Sequence, residues 1–507
     1  MKRMPHPSGG TKHWPSHRRS GLLFSHLREA ASEVTITSMS DVRSEQDALG
    51  TRDLPAGTRH GIHTARALEN FPLLGHPVHR ELARAFGAVK LAAARTNHTL
   101  GFFPETSKYA ALEQACLELM DGALRDEIRV DALQGGAGTS TNMNVNEVLA
   151  NRALELLGEP HGTYDRISPL DDVNRHQSTN DTFPTALRIA SIRGLNRLER
   201  EVVALQEAFQ EKEKAFAHIV KVGRTELQDA VLVTLGREMG AYAEALNRDR
   251  WRLAKCEERL RVVNLGGTAI GTGLAAPRQY IFRVVDELRD ITGLGLARAE
   301  NLVEATQNAD VFVEVSGLLK ALATSLVKIC GDLRLMGSGP ECGLGELRLP
   351  GRQAGSSIMP GKVNPVIPEA VTQAAILAMA HDQAIAFAVS LGSLELNPFL
   401  PLVAHSLLES FDLLGSACGM LRRFCIEGLE ADEARCRTQV ENGTAAATAL
   451  LPLLGYEAVC DLVTRAQTAG CSLRAQGISE GLFTAEEFQE ATSTEAVNRL
   501  GSRNPYA

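Results

Sequence analysis

The stretch Leu195-Asn-Arg-Leu-Glu-Arg-Glu-Val-Val-Ala-Leu-Gln-Glu-Ala-Phe209 places apolar side chains at positions 195, 198, 202, 205 and 209. These spacings alternate between three and four residues, the period of a helix that packs lengthwise against other helices. No proline lies between Pro184 and Pro277 or between Pro277 and Pro340, which permits unusually long helices. Aromatic residues make up only 5% of the chain, and alternating β-type runs are scarce. The sequence therefore predicts a mainly all-α fold around a central bundle of long helices.

The length of the chain predicts several domains. At 507 residues it exceeds one ordinary domain, and a prior of roughly 150 residues per domain gives about three. Polar and Pro/Gly-rich segments mark the expected domain boundaries. They predict an N-terminal domain at 39–178, the bundle domain at 179–433 and a small helical C-terminal domain at 434–507. Residues 1–38 contain several basic residues and no acid before Glu29, so they are predicted to form a disordered extension.

Composition excludes several classes of partner. A net charge of −8 argues against nucleic acid, because nucleic-acid-binding proteins carry basic faces. No apolar run approaches the ~18 residues that span a bilayer, so no membrane partner is expected. The nine cysteines are spread singly, without a C-x-x-C pair, which is typical of reduced thiols. We therefore expect a cytoplasmic protein.

The segment Gly355-Ser-Ser-Ile-Met-Pro-Gly-Lys-Val-Asn-Pro365, here called the signature loop, combines two hydroxyls, a cation and an amide in a flexible backbone. Glycine and proline mark it as a loop in which backbone N–H groups are free to donate. A serine hydroxyl can act as a base only if such donors and a nearby cation stabilise its alkoxide. Ser356 and Lys362 fit these two parts, and the loop as a whole is suited to binding a carboxylate.

Three further segments present polar groups suited to binding an anion. Two of them lie at predicted helix starts, where anions are stabilised, and the third lies between two long amphipathic stretches. An ordinary capped helix would show the same pattern, and for Ser140 a capping role and a ligand contact are both open. The candidate residues are Thr139 and Ser140, then Ser178, Thr179 and Asn180, then Thr225 and Glu226.

Together these four segments resemble, in the same chain order, the motifs of the aspartase/fumarase superfamily, whose members reversibly eliminate a group from a succinyl-type substrate to release fumarate. The resemblance runs from about residue 41 almost to the C-terminus, and it is strongest to the aspartate ammonia-lyases, chiefly at 134–140, 177–181 and 300–306. It implies a helical homotetramer in which each active site draws motifs from three chains. It also implies that L-aspartate and fumarate are the small-molecule ligands and that no metal or organic cofactor is required, although activation by a divalent cation stays open.

The resemblance also assigns roles to individual residues. Ser356 is the implied catalytic base, and Ser357, Ser178 and Thr179 hold the reacting carboxylate. The other carboxylate is gripped by the remaining implied binding residues, Thr225, Lys362 and Asn364. Thr139 and Asn180 face the amino group, with Ser140 beside them.

Glu226 departs from the family pattern, in which relatives resemble this segment with histidine or glutamine. A carboxylate repels a dicarboxylate substrate but pairs with an ammonium, which favours an amine leaving group; the alternative is that Glu226 turns away and pairs with Arg224 or another surface cation. The alternative function is that of a class II fumarate hydratase or of a superfamily lyase with another substrate, and a non-enzymatic scaffold protein is a third possibility.

Two other features have a structural alternative. His176 either lines the entrance of the site or packs against neighbouring side chains. Gly271-Thr-Gly-Leu-Ala-Ala276 matches a dinucleotide-binding pattern only formally, because it follows a helical stretch and not a strand.

Overall fold

Helices form most of the structure, a computed structural model that describes residues 42–499 and 501. The predicted mainly all-α fold is confirmed. The α-helices of the described residues, in chain order, are α1 Ile62–Asn70, α2 Arg80–Thr99, α3 Thr106–Asp121, α4 Thr139–Leu156, α5 Thr179–Ala215, α6 Leu235–Leu260, α7 Arg278–Thr292, α8 Leu302–Gln307, α9 Asp310–Met336, α10 Val366–Ser390, α11 Leu400–Leu421, α12 Glu433–Asn442, α13 Leu451–Leu454, α14 Tyr456–Ala469, α15 Leu473–Ser479, α16 Ala485–Ala491 and α17 Thr494–Asn498.

Strands occur only as short pairs in the described part of the chain. Three pairs are antiparallel and the pair β5–β6 is parallel. The strands are β1 Val42–Asp47 with β2 Gly50–Pro55, β3 Val220–Thr225 with β4 Gln228–Thr234, β5 Val262–Val263 with β6 Ala297–Arg298, and β7 Leu347–Arg348 with β8 Glu430–Ala431.

The longest helix, α5, contains the apolar repeat that opens the sequence argument. Its side chains at positions 195, 198, 202, 205 and 209 are all buried. Helix α5 packs lengthwise on α6 and α11, and α9 and α10 complete the bundle. The predicted long-helix bundle is therefore present, and α5 alone comprises 37 residues, or ~55 Å at 1.5 Å per residue.

A proline lies inside α5 without ending it. Pro184 has no N–H, so the carbonyl of Asn180 loses its usual helical donor. Asn264 supplies a replacement, because its Nδ2 donates to the Asn180 carbonyl at 3.0 Å. The side chain of Asn264 thus joins the segment after α6 to the start of α5.

Two main hydrophobic cores and a small third cluster of Val222, Val440 and Ala445 hold the described residues together. One continuous core runs from Ala67 in α1 to Cys436 in α12 and includes the bundle. A second, smaller core involves residues from Ala446 to Phe488. The domain boundaries proposed at 178/179 and 433/434 stay predictions, and the predicted extension 1–38 lies outside the described residues.

No disulfide forms among the nine cysteines, all of which lie in the described part of the chain; six are buried and three are exposed. Burial raises the pKa of the Cys116 thiol to about 12, which keeps that thiol protonated. Among the helices between residues 42 and 499, none is both long and apolar enough to cross a membrane.

Candidate active site

The signature loop lies between β7 and α10, and two hydrogen bonds close its neck. The Gly355 amide donates to the Lys362 carbonyl at 2.9 Å, and Asn364 Nδ2 donates to the Gly355 carbonyl at 3.0 Å. A Cβ on residue 355 would lie 2.4 Å from the Lys362 carbonyl oxygen, so only glycine fits at this neck. The amide of Asn364 therefore has a structural role that the sequence did not indicate, alongside its predicted role in binding.

Two backbone N–H groups point at the hydroxyl of Ser356. The Ile358 amide donates to Ser356 Oγ at 3.1 Å and the Met359 amide at 3.0 Å. Two donors of this kind favour negative charge on the oxygen, because they stabilise an alkoxide more than a hydroxyl. Sequence reasoning expected N–H donors in this loop, and the structure places two of them on Ser356. The role of Ser356 as base stays a prediction.

The middle of the signature loop, residues 357–363, is exposed. Ile358 is 83% exposed, and Ser357 and Lys362 are exposed as well. Within residues 42–499, no hydrogen bond or ion pair engages the Lys362 ammonium. An apolar side chain and a free cation on an exposed loop are groups that another surface can cover.

The start of α4 presents Thr139 and Ser140 after a tight turn. Gly136, Ala137 and Gly138 all have positive φ, and a Cβ on Gly138 would meet the Phe183 ring at 2.2 Å. Gly138 is the N-cap, so the capping alternative for Ser140 does not hold: Ser140 is the second helical residue. It lines a cavity of about 190 Å³.

The start of α5 is a capping box. Ser178 Oγ accepts from the Asn180 amide at 3.2 Å, and Asp181 accepts from the Ser178 amide at 3.0 Å. The Ser178 hydroxyl can still donate to a ligand while it accepts this bond. Asn180 Nδ2 donates to the Ala269 carbonyl at 2.7 Å, and Thr179 is buried, with 8% of its surface exposed. Ser178 is therefore both a helix cap and a candidate donor.

A buried lysine that sequence reasoning missed connects these two helix starts. Lys90 Nζ donates to Asn142 Oδ1 at 2.7 Å, to Asn174 Oδ1 at 3.1 Å and to Gln177 Oε1 at 2.9 Å. Burial lowers the pKa of Lys90 to about 7, against the attraction of Asp181. The available signal was a single lysine inside the apolar run Ala88–Ala94, because a buried cation needs a dedicated set of acceptors.

Thr225 and Glu226 lie at the tip of the β3–β4 hairpin. Glu226 and Leu227 form the two-residue turn with φ of 55° and 63°, the type I′ geometry that fits hairpins. Both Thr225 and Glu226 are exposed. The alternative pairing of Glu226 with Arg224 or another surface cation is wrong: Arg224 bonds Glu346, and among residues 42–499 no ion pair engages Glu226.

The four segments do not meet within one chain. The helix starts at Thr139 and Ser178 lie at the N-terminal end of α5, whereas the hairpin follows its C-terminal end, ~55 Å away along the 37-residue helix. The segments on both sides of the signature loop also lie on the hairpin side. The Glu346 amide, just before β7, donates to the Met336 carbonyl of α9 at 2.9 Å, and Lys221 Nζ of β3 lies 3.5 Å from Met336 Sδ. At the start of α10, Glu369 Oε1 lies 3.7 Å from Arg334 Nη2, near the end of α9. A site that uses all four segments therefore needs more than one chain.

Two further features predicted from the sequence have a role in packing. His176 is half-buried, with Nδ1 2.7 Å from Asn97 Oδ1 and ring contacts to Phe102 and Tyr280. Burial lowers its pKa. A Cβ on Gly271 would meet the Leu302 backbone at 2.4 Å, so this glycine allows a close approach of two backbones. Within the described ranges, no group of three or more His, Cys, Asp and Glu side chains could hold a metal ion.

Several known lyases are similar to this chain. A protein-family model described as Lyase matches residues 50–379. Aspartate ammonia-lyases from a Bacillus species, Pseudomonas fluorescens and Escherichia coli K12 are 44%, 46% and 42% identical; the alignments cover 89%, 88% and 90% of this chain and 96%, 94% and 96% of the relatives.

Solved structures give the same result. The crystal structure of a cobalt-bound fumarate lyase:delta crystallin from Brucella melitensis has a TM-score of 0.86 at 45% identity, and the match covers 89% of this chain and 98% of that one. A class II fumarase from Schistosoma mansoni has a TM-score of 0.82 at 30% identity, with 90% and 99% covered. The chain therefore belongs to the aspartase/fumarase superfamily of lyases, as the signature loop and the three polar segments predicted.

Proposed function

We propose that this lyase eliminates ammonia from L-aspartate to give fumarate, and that it catalyses the reverse addition. Relatives 42–46% identical over nearly the whole chain are named aspartate ammonia-lyase. The observation that carries the chemistry is the pair of N–H donors on Ser356 Oγ, since an alkoxide there can remove a weakly acidic proton from carbon.

The reaction requires a base at carbon 3 and a group of donors for the resulting charge. Ser356 removes the proton, and the electron pair passes into the adjacent carboxylate to form an enediolate. Ser357, Ser178 and Thr179 donate to that group as its charge develops. Expulsion of the amine from carbon 2 then forms the double bond of fumarate. Neutral donors and a single ammonium carry this charge, so the scheme needs no cofactor.

The remaining site residues fix the orientation of the substrate. Thr225, Lys362 and Asn364 bind the second carboxylate, and Thr139, Ser140 and Asn180 face the amino group. Glu226 is an exposed carboxylate without a partner among residues 42–499, so it is free to pair with the substrate ammonium. That pairing favours aspartate over malate, because malate offers a hydroxyl and no cation at this position.

We further propose that the active enzyme is a homotetramer with sites shared between subunits, located in the cytoplasm. The ~55 Å separation along the 37-residue α5 supports sharing, because one chain cannot close the site. Helix α10 also exposes apolar side chains that a second chain can cover, among them Ile376, Leu377 and Phe387, the last 68% exposed. The cytoplasmic location rests on nine unbridged cysteines.

Absorbance of fumarate in the ultraviolet tests the proposal. We expect the signal to rise with L-aspartate and not with L-malate. A signal from malate alone would establish the alternative, a fumarate hydratase. No signal from either substrate, with the oligomer intact, would contradict both functions and favour another substrate or a non-enzymatic scaffold.

The variant Ser356→Ala tests the base. Turnover should be lost while circular dichroism and oligomeric state stay unchanged, because the Ser356 side chain lies on an exposed loop outside the cores. Ser479→Ala, which removes an exposed hydroxyl far along the chain in α15, is the matched control and should retain full activity. Substantial elimination by Ser356→Ala would remove Ser356 as the base.

A further inference from the structure

Four charged side chains form a cluster at the β3–β4 hairpin in which two members are buried and two are partly exposed; Lys221, Arg224, Glu238 and Glu346 are here called the Glu346 cluster. Glu346 is 0% exposed and Lys221 is 2% exposed. Lys221 Nζ donates to the two carboxylate oxygens of Glu238 at 2.9 and 2.8 Å, and it lies 2.8 Å from Glu346 Oε2. Arg224 Nη1 donates to Glu346 Oε1.

The charges of the Glu346 cluster balance, with two cations and two anions. Removing such groups from water costs about as much free energy as their attraction returns, so a buried ion pair contributes little net stability. Burial accordingly raises the pKa of Glu238, against the attraction of Lys221. The cluster instead fixes the relative positions of the segments it joins, because the hydrogen bonds of the planar Arg224 guanidinium are directional.

The cluster connects two segments that carry site residues. Arg224 directly precedes Thr225 at the hairpin tip, next to a bulge at Gly223 in the β3–β4 register. Glu346 directly precedes β7, and β7 leads into the signature loop. The Glu346 amide is itself fixed, since it donates to the Met336 carbonyl at the end of α9 at 2.9 Å.

A third segment joins at the same point. Arg224 Nη2 donates to Gln439 Oε1 of α12 at 3.1 Å, and Gln439 Nε2 donates to the Leu344 carbonyl at 2.8 Å. The hairpin, the start of the signature-loop segment and α12 are therefore held against one another through Arg224 and Glu346. Within the described residues, the only other carboxylate near Arg224 is that of Asp229, an exposed residue of β4 that lies 3.5 Å away.

We propose that Glu346 is a positioning residue for the reaction: its carboxylate, bound by Lys221 and Arg224, fixes the hairpin tip relative to the base of the signature loop. This inference rests on the proposed function for its kinetic consequence. Glu346 is fully buried and does not touch substrate; it acts through Thr225 and Glu226 on one side and through the loop with Ser356 on the other.

The variant Glu346→Gln tests this role, with Asp382→Asn as matched control. Glutamine keeps the size of the side chain but leaves Arg224 and Lys221 with one anion. Asp382 is equally a buried carboxylate; it contacts Ser316 and Lys320 inside the bundle, sixteen residues along α10 from its start and therefore ~24 Å from the loop. Both variants lose one buried negative charge, and only Glu346→Gln affects the two site segments.

Two measurements are made on each full-length variant. The kinetics of fumarate formation from aspartate should show kcat/KM reduced ~100-fold in Glu346→Gln, the loss expected when reacting groups move by about 1 Å. Glu346→Asp should recover part of it, and Asp382→Asn should stay at the wild-type value. Hydrogen exchange followed by mass spectrometry should show faster exchange at 223–229 and 349–365 in Glu346→Gln alone.

Each outcome either supports or overturns the positioning role of Glu346. Wild-type kinetics and exchange in Glu346→Gln, or equal losses in Asp382→Asn, would overturn the proposal. If Glu346→Gln does not fold, Lys221→Met/Glu346→Gln restores one cation against one anion and is measured in the same way; recovery of wild-type kcat/KM in this double variant would also overturn it. If the wild-type protein forms no fumarate, the proposed function fails, and the exchange result, which needs no substrate, decides the positioning role by itself.

Discussion

The neck of the signature loop gives the most specific prediction, the effect of Gly355→Ala. The added Cβ would lie 2.4 Å from the Lys362 carbonyl oxygen, and 3.0 Å is the shortest separation that Cβ atoms normally show. The neck must therefore open by at least 0.6 Å. That movement stretches the 2.9 Å bond from Gly355 to Lys362 and the 3.0 Å bond from Asn364 to Gly355 beyond hydrogen-bonding range.

The size of the effect follows from these two bonds. At about 1 kcal/mol of net stabilisation each, their loss disfavours the closed neck by about 2 kcal/mol. That difference reduces the population of correctly placed loops by about 30-fold at 25 °C. Because Ser356, Lys362 and Asn364 all lie on this loop, kcat/KM for aspartate should fall by about the same factor. The melting temperature should fall by no more than about 3 °C, since the loop belongs to neither core.

The control is Gly351→Ala, four residues before the signature loop. Its Cβ would lie 3.4 Å from Val363 Cγ1, an ordinary van der Waals contact, so its activity should match the wild-type protein. Fumarate absorbance gives the kinetics, and circular dichroism checks the fold. Equal activity of the two variants would refute the argument that the neck bonds position the loop, and so would a loss of activity that accompanies unfolding.

Three further predictions concern Glu226, Glu155 and the cysteines. Glu226→Gln should raise KM for aspartate with kcat little changed, because it removes binding to the ammonium that is equal in ground and transition states; an unchanged KM contradicts that assignment. Burial alone would raise the pKa of Glu155, but hydrogen bonds from Arg59 and Arg152 outweigh it and lower the pKa to about 2 from 4.5. A depressed carboxyl pKa contributes stability above pH 4.5 that is lost as pH falls toward 2, so urea unfolding should show a smaller loss of stability on acidification in Glu155→Gln than in the wild-type protein; parallel pH dependences would count against it. A thiol reagent should modify at most three cysteines in the native protein and all nine in denaturant, and labelling of buried thiols in the native state would show that the cores open. The exposed cysteines are Cys342, Cys460 and Cys471.

Much of the helical architecture could be predicted because helix periodicity is local. The spacing from Leu195 to Phe209 indicated a long buried stripe, and those side chains are buried in α5. The β3–β4 hairpin was missed because its turn is Glu226-Leu227, whereas Asn-Gly or Asp-Gly is the usual signal for a type I′ turn. The exposure of Leu227 at that tip also lacks a local signal in the sequence.

Lys90 and Glu346 were missed for a different reason. Lys90 is visible in the sequence only as one charge within an apolar run, Glu346 has no such signal, and the role of each depends on partners far away in the chain. Glu346 bonds Arg224 across 122 residues, and Lys90 bonds Gln177 across 87. No local pattern encodes such pairs, because they form only after the helices between them have packed.

The sequence by itself determined the helical class, the membership of the lyase superfamily and the residue types that a carboxylate-binding site requires, since these depend on short-range patterns. Only the tertiary structure decided where those residues lie. In the folded chain, two backbone N–H groups donate to Ser356 Oγ, and Arg224 pairs with Glu346 and not with Glu226. The tertiary structure also separated the helix starts from the hairpin by the length of α5. The physical reason is that distances between segments are set by the packing of whole helices, which no single segment specifies.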